Sequence, residues 1–156
     1  MQFEAKVTGL NETLKTMDRL PGVMRKKIYR KALLAGGAVV RDKAVQNVKA
    51  IVTGDDSSGV LAKSLRVYGL KKKRGWYRAG VMVKRGAVNP RKKDGSGKPV
   101  RVGLYASVLE YGKYHQPPRP WLKPAYQSEK YYAQDRVKQV ISKNLLSAVN
   151  EAKNRK

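Results

Sequence analysis

The sequence contains no cysteine, and this absence excludes several kinds of chemistry. Without thiols there is no disulfide, no thiolate metal site and no cysteine nucleophile. Histidine occurs once, as His115, so a histidine pair or an HExxH zinc motif is excluded as well. The segment Gly95–Lys98 lacks the spacing and the strand–helix context of a Walker loop. We therefore expect no metal and no other cofactor.

Long hydrophobic segments are also absent. The longest run without a polar or charged side chain covers nine residues, 32–40, whereas a membrane-spanning helix needs about 20. The opening MQFEAKVTGL has no basic segment followed by an apolar one, as a signal peptide would have. We expect a soluble protein with no membrane partner, and the 156 residues suit a single domain over 1–156.

Acidic residues are scarce, since 35 Lys and Arg face 11 Asp and Glu and give a net charge of +24. Between Lys63 and Arg101 there are fourteen basic residues and one acid, Asp94. Such a field attracts polyanions, although solvated charge that keeps strand edges apart is the simpler interpretation. We favour contact with DNA or an acidic partner, without sequence-specific readout. The candidate residues are Lys71, Lys72, Lys73, Arg74, Lys84, Arg85, Arg91, Lys92 and Lys93.

Hydrophobic periodicity predicts the secondary structure. Helices are predicted from Asn11 to Leu20, over Val23–Lys49, over Tyr105–Tyr111, and from about Ala125 toward Ala152, with one helical turn near Val60. Strands are predicted over Phe3–Val7, Leu65–Leu70, Trp76–Val83 and Val100–Leu104. The basic segments at about 71–75 and 87–99 are expected to be flexible loops, and the tail 153–156 is expected to fray. Gly36-Gly37 within the second helix indicates either a close helix crossing or hinge, or a tolerated kink.

A proline-rich arm precedes the last helix. Pro117, Pro118 and Pro120 fix the backbone in an extended form and lead into Trp121 and Leu122. Trp121 is most simply an anchor that holds the final helix against the sheet. The alternative is a hot spot in a subunit interface, where tryptophan is enriched. The candidate anchor or interface residues are Pro118, Pro120, Trp121 and Leu122.

Few residues of this sequence could form a catalytic site. Glu110 and His115 could form an acid–base couple across a glycine turn, with Tyr114 and Arg119 nearby, as in a small RNase of toxin type. The simpler interpretation pairs Glu110 with a neighbouring Lys or Arg and leaves His115 in a loop. We expect no catalytic residue and no enzyme activity.

Several motifs occur in an order that resembles a known family. Gly9-Leu10 ends the first strand, a long basic helix reaches a Thr53-Gly54 loop, and Leu61-Ala62-Lys63-Ser64-Leu65 precedes a hairpin. Tyr105-Ala106…Leu109-Glu110-Tyr111-Gly112 is then followed by Pro117-Pro118-Arg119-Pro120-Trp121-Leu122-Lys123-Pro124-Ala125. This order resembles the tail-completion, or minor tail component, family of long-tailed bacteriophages. Two departures are the Asp55–Val60 insertion and Lys113, where threonine is frequent in the family.

The resemblance implies an α+β fold in which a small antiparallel sheet packs against two long helices. It also implies a non-enzymatic virion protein of the tail or neck, assembled in the host cytoplasm into a sixfold ring at the head–tail junction. Its partners would be connector, neck and tail-terminator proteins, with double-stranded DNA passing through. A stand-alone, sequence-nonspecific nucleic-acid-binding protein using the basic 63–101 region is the alternative, and a small RNase is the third hypothesis.

Overall fold

The computed structural model describes residues 15, 17, 18, 22–53, 59–73 and 76–153. In chain order the elements are α1 (Gly22–Ile51), α2 (Val60–Ser64), β1 (Leu65–Lys73), β2 (Trp76–Val83), β3 (Val88–Lys93), β4 (Pro99–Arg101), α3 (Val102–Tyr111) and α4 (Leu122–Lys153). The predicted α+β class is confirmed. Among the described residues, the strands form two separate two-stranded antiparallel sheets, β1–β2 and β3–β4, where one small sheet was expected.

The two long helices follow the predicted periodicity. In α1 every fourth residue is buried, which gives a row of small and branched side chains: Ile28, Ala32, Gly36, Val40, Ala44 and Val48. In α4 the buried stripe is Val137, Ile141, Leu145 and Ala148. Residues four apart lie on one helix face, so each row presents a continuous apolar surface for packing.

The chain divides into two compact units, and each draws on segments of both long helices. The first unit contains Met1–Val39, Tyr68–Gly80 and Lys130–Lys156. Its core joins Met17, Ile28 and Ala32 to Val137, Ile141 and Leu145. At Gly36 the helices approach so closely that a Cβ atom would lie 2.5 Å from Val137 Cγ2 and 2.9 Å from the Ala133 carbonyl oxygen. A close crossing is therefore the reason for glycine at this position.

The first unit also packs a hairpin against α1. The rings of Tyr29 in α1 and Tyr77 in β2 are stacked with centroids 5.2 Å apart. A Cβ atom on Gly69 in β1 would lie 3.7 Å from Arg30 Nε. Burial raises the pKa of Tyr29, because removal from water disfavours the charged phenolate.

The second unit contains Val40–Val67 and Val81–Glu129. Its buried apolar side chains come from α1, from the α2–β1 segment, from α3 and from the start of α4: Val40, Ala44, Val48, Leu61, Ala62, Leu65, Val102, Ala106, Leu109, Trp121 and Ala125. That all 156 residues behave as one domain stays a prediction.

The basic segment 87–99 differs from the predicted loop. It forms β3, a turn and β4, with Val88 opposite Arg101 and Asn89 opposite Val100. The backbone is tied at the turn because Asp94 N–H donates to the Lys98 carbonyl oxygen at 2.8 Å. Backbone hydrogen bonds of this kind form without an alternation of apolar and polar side chains. Hydrophobic periodicity therefore could not predict the hairpin. The flexibility of the segment stays a prediction.

Three other boundaries also differ from expectation. The predicted loop at 71–75 is wrong for Lys71–Lys73, which extend β1. The strand predicted over Val100–Leu104 ends at Arg101, and α3 begins at Val102, whose side chain is buried. The last helix begins at Leu122 and not Ala125; proline is tolerated in a first helical turn, where its missing N–H has no partner to lose.

Some predictions concern residues outside the described ranges. The strand over Phe3–Val7, residues 54–58 of the loop after α1, and 154–156 of the tail lie outside the described residues. Of the helix predicted from Asn11 to Leu20, the structure describes Lys15, Met17 and Asp18, and all three are helical.

Candidate functional site

Trp121 lies at the junction between the proline-rich arm and α4, and its side chain is 4% exposed. Its indole Nε1–H donates to the Ala106 carbonyl oxygen of α3 at 3.1 Å. Its own carbonyl oxygen accepts a hydrogen bond from Asn47 Nδ2 of α1 at 3.0 Å. A buried indole needs a partner for its N–H, and α3 supplies one. The junction therefore connects α1, α3 and α4 within the second unit.

Glu110 of α3 caps the beginning of α4. Its Oε2 accepts the backbone N–H groups of Trp121 and Leu122, both at 2.8 Å, and its Oε1 accepts that of Lys123 at 2.9 Å. The first N–H groups of a helix have no partner within the helix, and its positive end favours a carboxylate. Pro124 has no N–H to satisfy. Glu110 is 7% exposed and therefore acts as a buried structural cap.

This role of Glu110 was not predicted from the sequence. The expected alternatives were a salt bridge to a neighbouring cation and an acid–base couple with His115. One signal could have found the cap: Trp121 occupies the N-cap position, where serine, threonine, aspartate or asparagine is usual, so α4 needs an acceptor from elsewhere.

The arm between α3 and α4 folds back onto α3. Gly112 ends α3 with φ of 78°, and a Cβ atom there would lie 2.9 Å from the Gln116 carbonyl oxygen and 3.0 Å from Pro118 N. Lys113 and Gln116 pair across a tight turn, and Arg119 N–H donates to the Leu109 carbonyl oxygen at 2.7 Å. Pro118 and Pro120 are exposed and Leu122 is half-buried. An anchor or interface role for Pro118, Pro120, Trp121 and Leu122 stays a prediction.

The residues considered for catalysis have different surroundings. Both oxygens of Glu110 accept backbone N–H groups, whereas His115 is exposed at the tip of the turn with φ of 64° and its ring 3.8 Å from that of Tyr114. An acid–base couple needs both groups free to reach one substrate. Over the described ranges, no group of three or more His, Cys, Asp or Glu residues is placed to hold a metal ion.

The basic candidates separate into two hairpins. Lys71, Lys72 and Lys73 lie in β1, and Arg74 lies outside the described residues. Lys84 and Arg85 are exposed in the turn before β3, and Arg91 and Lys93 are exposed in β3 itself. Lys92 is half-buried, with its Nζ 5.8 Å from the centroid of the Tyr105 ring. Lys98 and Arg101 are exposed as well, although they are not among the predicted contact residues.

Short backbone bonds join the Lys84–Arg85 turn to the β3–β4 hairpin. Ala87 N–H donates to the Lys84 carbonyl oxygen at 3.2 Å, and Val102 N–H donates to the Ala87 carbonyl oxygen at 2.9 Å. Lys84 N–H in turn donates to the Ser64 carbonyl oxygen at 2.8 Å. These hydrogen bonds therefore hold the turn, with Lys84 and Arg85, against the ends of the β3–β4 hairpin that carries the other cations.

Asp94, the one acid of the basic segment, forms the hairpin turn. Its Oδ1 accepts the Ser96 hydroxyl at 2.7 Å and the N–H groups of Ser96 and Lys98 at 2.9 and 3.0 Å. These bonds, the Ser96 hydroxyl first, hold the pKa of the Asp94 carboxyl below its usual value, because they stabilise the charged form. The carboxylate thus organises backbone and hydroxyl groups of the turn.

No helix in the described part of the chain combines the length and apolar character needed to cross a bilayer. No curated protein and no solved structure matches the chain. A family model described as "Bacteriophage HK97-gp10, putative tail-component" matches residues 11–112, about two thirds of the sequence. The match includes both hairpins and α3 and stops before the Pro117–Ala125 segment. The predicted relation to phage tail components is confirmed, and the chain belongs to the HK97-gp10-like family.

Proposed function

We propose that this protein is a tail-completion subunit that forms a sixfold ring at the head–tail junction of a tailed phage. Its membership of a family of phage tail components carries the proposal, because that description agrees with a structural protein of the virion. The ring would be assembled in the host cytoplasm and stacked between connector or neck proteins and the tail terminator. Its role would be assembly, without catalysis.

An exposed apolar surface on the second unit supports self-assembly. Leu104 and Tyr111 are seven residues apart on α3, so they lie on one helix face, and they are 64% and 56% exposed. Tyr114, in the turn that follows, is 86% exposed. Aromatic residues are enriched in subunit interfaces, and a turn tied to α3 loses little entropy on docking. We assign Leu104, Tyr111 and Tyr114 to the contact with a second copy and call them the α3 surface.

The oligomeric state tests this proposal. Sedimentation velocity and negative-stain images of the wild type should show rings of about six times the chain mass. A triple variant, Leu104→Ser with Tyr111→Ser and Tyr114→Ser, should melt like the wild type but sediment as a monomer. The matched control is Tyr131→Ser with Tyr132→Ser, which removes two exposed tyrosines from α4.

Three results would count against the proposal. A wild type that stays monomeric at every concentration contradicts the ring. Rings formed by the triple variant contradict the assignment of the α3 surface, and so does an equal loss of rings in the control variant.

The absence of catalysis is tested separately. We expect the wild type and His115→Ala to leave RNA and duplex DNA intact on prolonged incubation, because Glu110 is occupied as a cap and His115 stands exposed. Cleavage by the wild type that disappears in His115→Ala would restore the RNase hypothesis.

A nucleic-acid-binding protein that acts alone is the second candidate, favoured by the net charge of +24. It predicts a monomer at all concentrations, so the same sedimentation experiment separates it from the ring. DNA binding by itself does not, because a ring subunit can also contact DNA.

A further inference from the structure

Six exposed cations lie on the β3–β4 hairpin and the turn before it. We call them the basic hairpin surface, and its members are Lys84, Arg85, Arg91, Lys93, Lys98 and Arg101. All six belong to the second unit, and the backbone bonds between Lys84, Ala87 and Val102 hold turn and hairpin together. The surface is thus built on paired strands and short turns, which fix the backbone positions of the six residues.

These cations have little local neutralisation. Within the described residues none of the six side chains forms an ion pair, whereas Arg25, Arg41 and Lys138 each do. Asp94, which stands between them in sequence, directs its Oδ1 to Ser96 and to the Lys98 N–H. The carboxylate therefore orders the turn, while the surrounding positive charge is left to attract a polyanion.

The composition of this surface favours phosphate over protein. Protein–protein interfaces have an apolar, aromatic core, and although arginine is enriched in them, lysine is depleted. The basic hairpin surface contains three lysines and three arginines and no aromatic residue. Contacts from Lys and Arg to phosphate oxygens supply most of the affinity of nonspecific DNA binding, and they read no sequence.

We propose that the basic hairpin surface binds the phosphate backbone of double-stranded DNA without sequence preference. A two-stranded ribbon is narrow enough to lie along a groove of about 12 Å, with cations on both of its strands facing the flanking phosphates. The binding is reversible and depends strongly on salt, because each phosphate contact releases condensed counterions. This site does not depend on ring formation, since it uses residues other than the α3 surface.

The test compares two variants of equal charge. The first replaces Lys84, Arg91, Lys93 and Arg101 with Gln. The control replaces Lys26, Arg30, Arg136 and Lys143 with Gln; these exposed cations lie on α1 and α4 of the first unit. Fluorescence anisotropy with three 30-base-pair duplexes of unrelated sequence is recorded from 50 to 300 mM salt, and melting curves establish that both variants are folded.

The hairpin variant should bind about 100-fold more weakly than the wild type at 100 mM salt, because four phosphate contacts are lost. The slope of log K against log salt should fall by roughly 3 to 4, since each phosphate contact contributes about 0.9. The control should lose less than about fivefold, and the three duplexes should bind equally. Equal losses in the two variants overturn the proposal, because they would show bulk charge attraction without a site.

Competition with poly-glutamate separates DNA from an acidic protein. We expect poly-glutamate of matched charge to displace the duplex only weakly, because its carboxylates lack the regular phosphate spacing along a groove. If it binds the wild type as tightly as DNA does and loses affinity in the same way in the hairpin variant, the surface recognises acidic protein and the DNA assignment is wrong. Loss of the ring without loss of DNA binding would contradict only the proposed function.

Discussion

Removing the Glu110 carboxylate should destabilise the junction between α3 and α4. Glu110→Ala leaves three N–H groups without their acceptor, and the one on Trp121 belongs to a buried residue. Hydrogen bonds to charged groups contribute about 1.5–3 kcal/mol each, but the bonds to one carboxylate are not additive. Loss of a helix N-cap costs about 0.5–2 kcal/mol. We therefore expect Glu110→Ala to lower the free energy of unfolding by about 4 kcal/mol.

Glu110→Gln separates shape from charge. The amide oxygen can keep the N–H groups of Trp121 and Leu122, but the NH₂ group would face the N–H of Lys123, so one bond and the charge at the helix end are lost. We expect a loss of about 2 kcal/mol.

Thermal unfolding measures both variants of Glu110. At about 2–4 °C per kcal/mol for a chain of this size, Tm should fall by about 4–8 °C for Glu110→Gln and by about 8–16 °C for Glu110→Ala. Glu129→Gln, on the side of α4, is the matched control and should stay within about 2 °C of the wild type. A Glu110→Ala variant that melts as the control does would contradict the capping role, and so would a Glu110→Gln variant that loses as much stability as Glu110→Ala.

Three further predictions follow from packing and burial. Gly36→Ala should lower the free energy of unfolding by about 2 kcal/mol, since its Cβ would collide with Val137 and the Ala133 carbonyl. Gly103→Ala in α3, whose Cβ meets nothing within 4 Å, should raise the free energy of unfolding by up to about 1 kcal/mol. Equal Tm values for the two variants would contradict this. The difference in absorbance at 295 nm between wild type and Tyr29→Phe, followed against pH, should place the Tyr29 pKa above 10, because burial favours the neutral phenol. The contribution of the buried phenol to folding stability is complete below the unfolded pKa and is lost as pH rises through the folded pKa. A midpoint at or below 10 would refute this prediction. Trp121→Ala should cost about 3–5 kcal/mol; a wild-type melting curve combined with lost rings would make Trp121 an interface residue.

Periodicity predicted the elements whose burial follows a simple repeat. The predicted helix Val23–Lys49 and the observed α1 differ by one or two residues at each end, and the predicted strand Trp76–Val83 coincides with β2. In both cases apolar or β-branched side chains are dense enough for the local sequence to determine the structure. Fold class and family follow instead from the order of motifs along the chain, which resembles that of phage tail components.

The β3–β4 hairpin could not be predicted in that way. Val88, Pro90, Arg91 and Lys93 are exposed, so β3 has no apolar face to reveal it. Its pairing depends on the bonds that Asp94 makes to Ser96 and Lys98, and on Val102 N–H reaching the Ala87 carbonyl oxygen. Asx turns of this kind are visible in a sequence only as Asp, Ser and Gly, which also compose ordinary loops.

The Glu110 cap could not be predicted because it joins residues of two different helices. A local capping box places its acceptor within three residues of the helix start, whereas Glu110 lies eleven to thirteen residues before the N–H groups that it accepts. The arm between them must first fold back through Gly112 and the Lys113–Gln116 turn. The spacing of residues in the sequence does not show that the arm folds back in this way.

The cap also limits what the proline-rich arm can offer a partner. Because Glu110 and Ala106 hold Trp121 in the interior, the indole is not available on the surface of the subunit. Tyr114, in contrast, is exposed, and it lies on a turn whose position depends on the same junction. A variant that loosens the junction would therefore disturb assembly indirectly and lower Tm, whereas one that changes Tyr114 would affect assembly at unchanged Tm. Stability must accordingly be measured before any loss of rings is assigned to an interface.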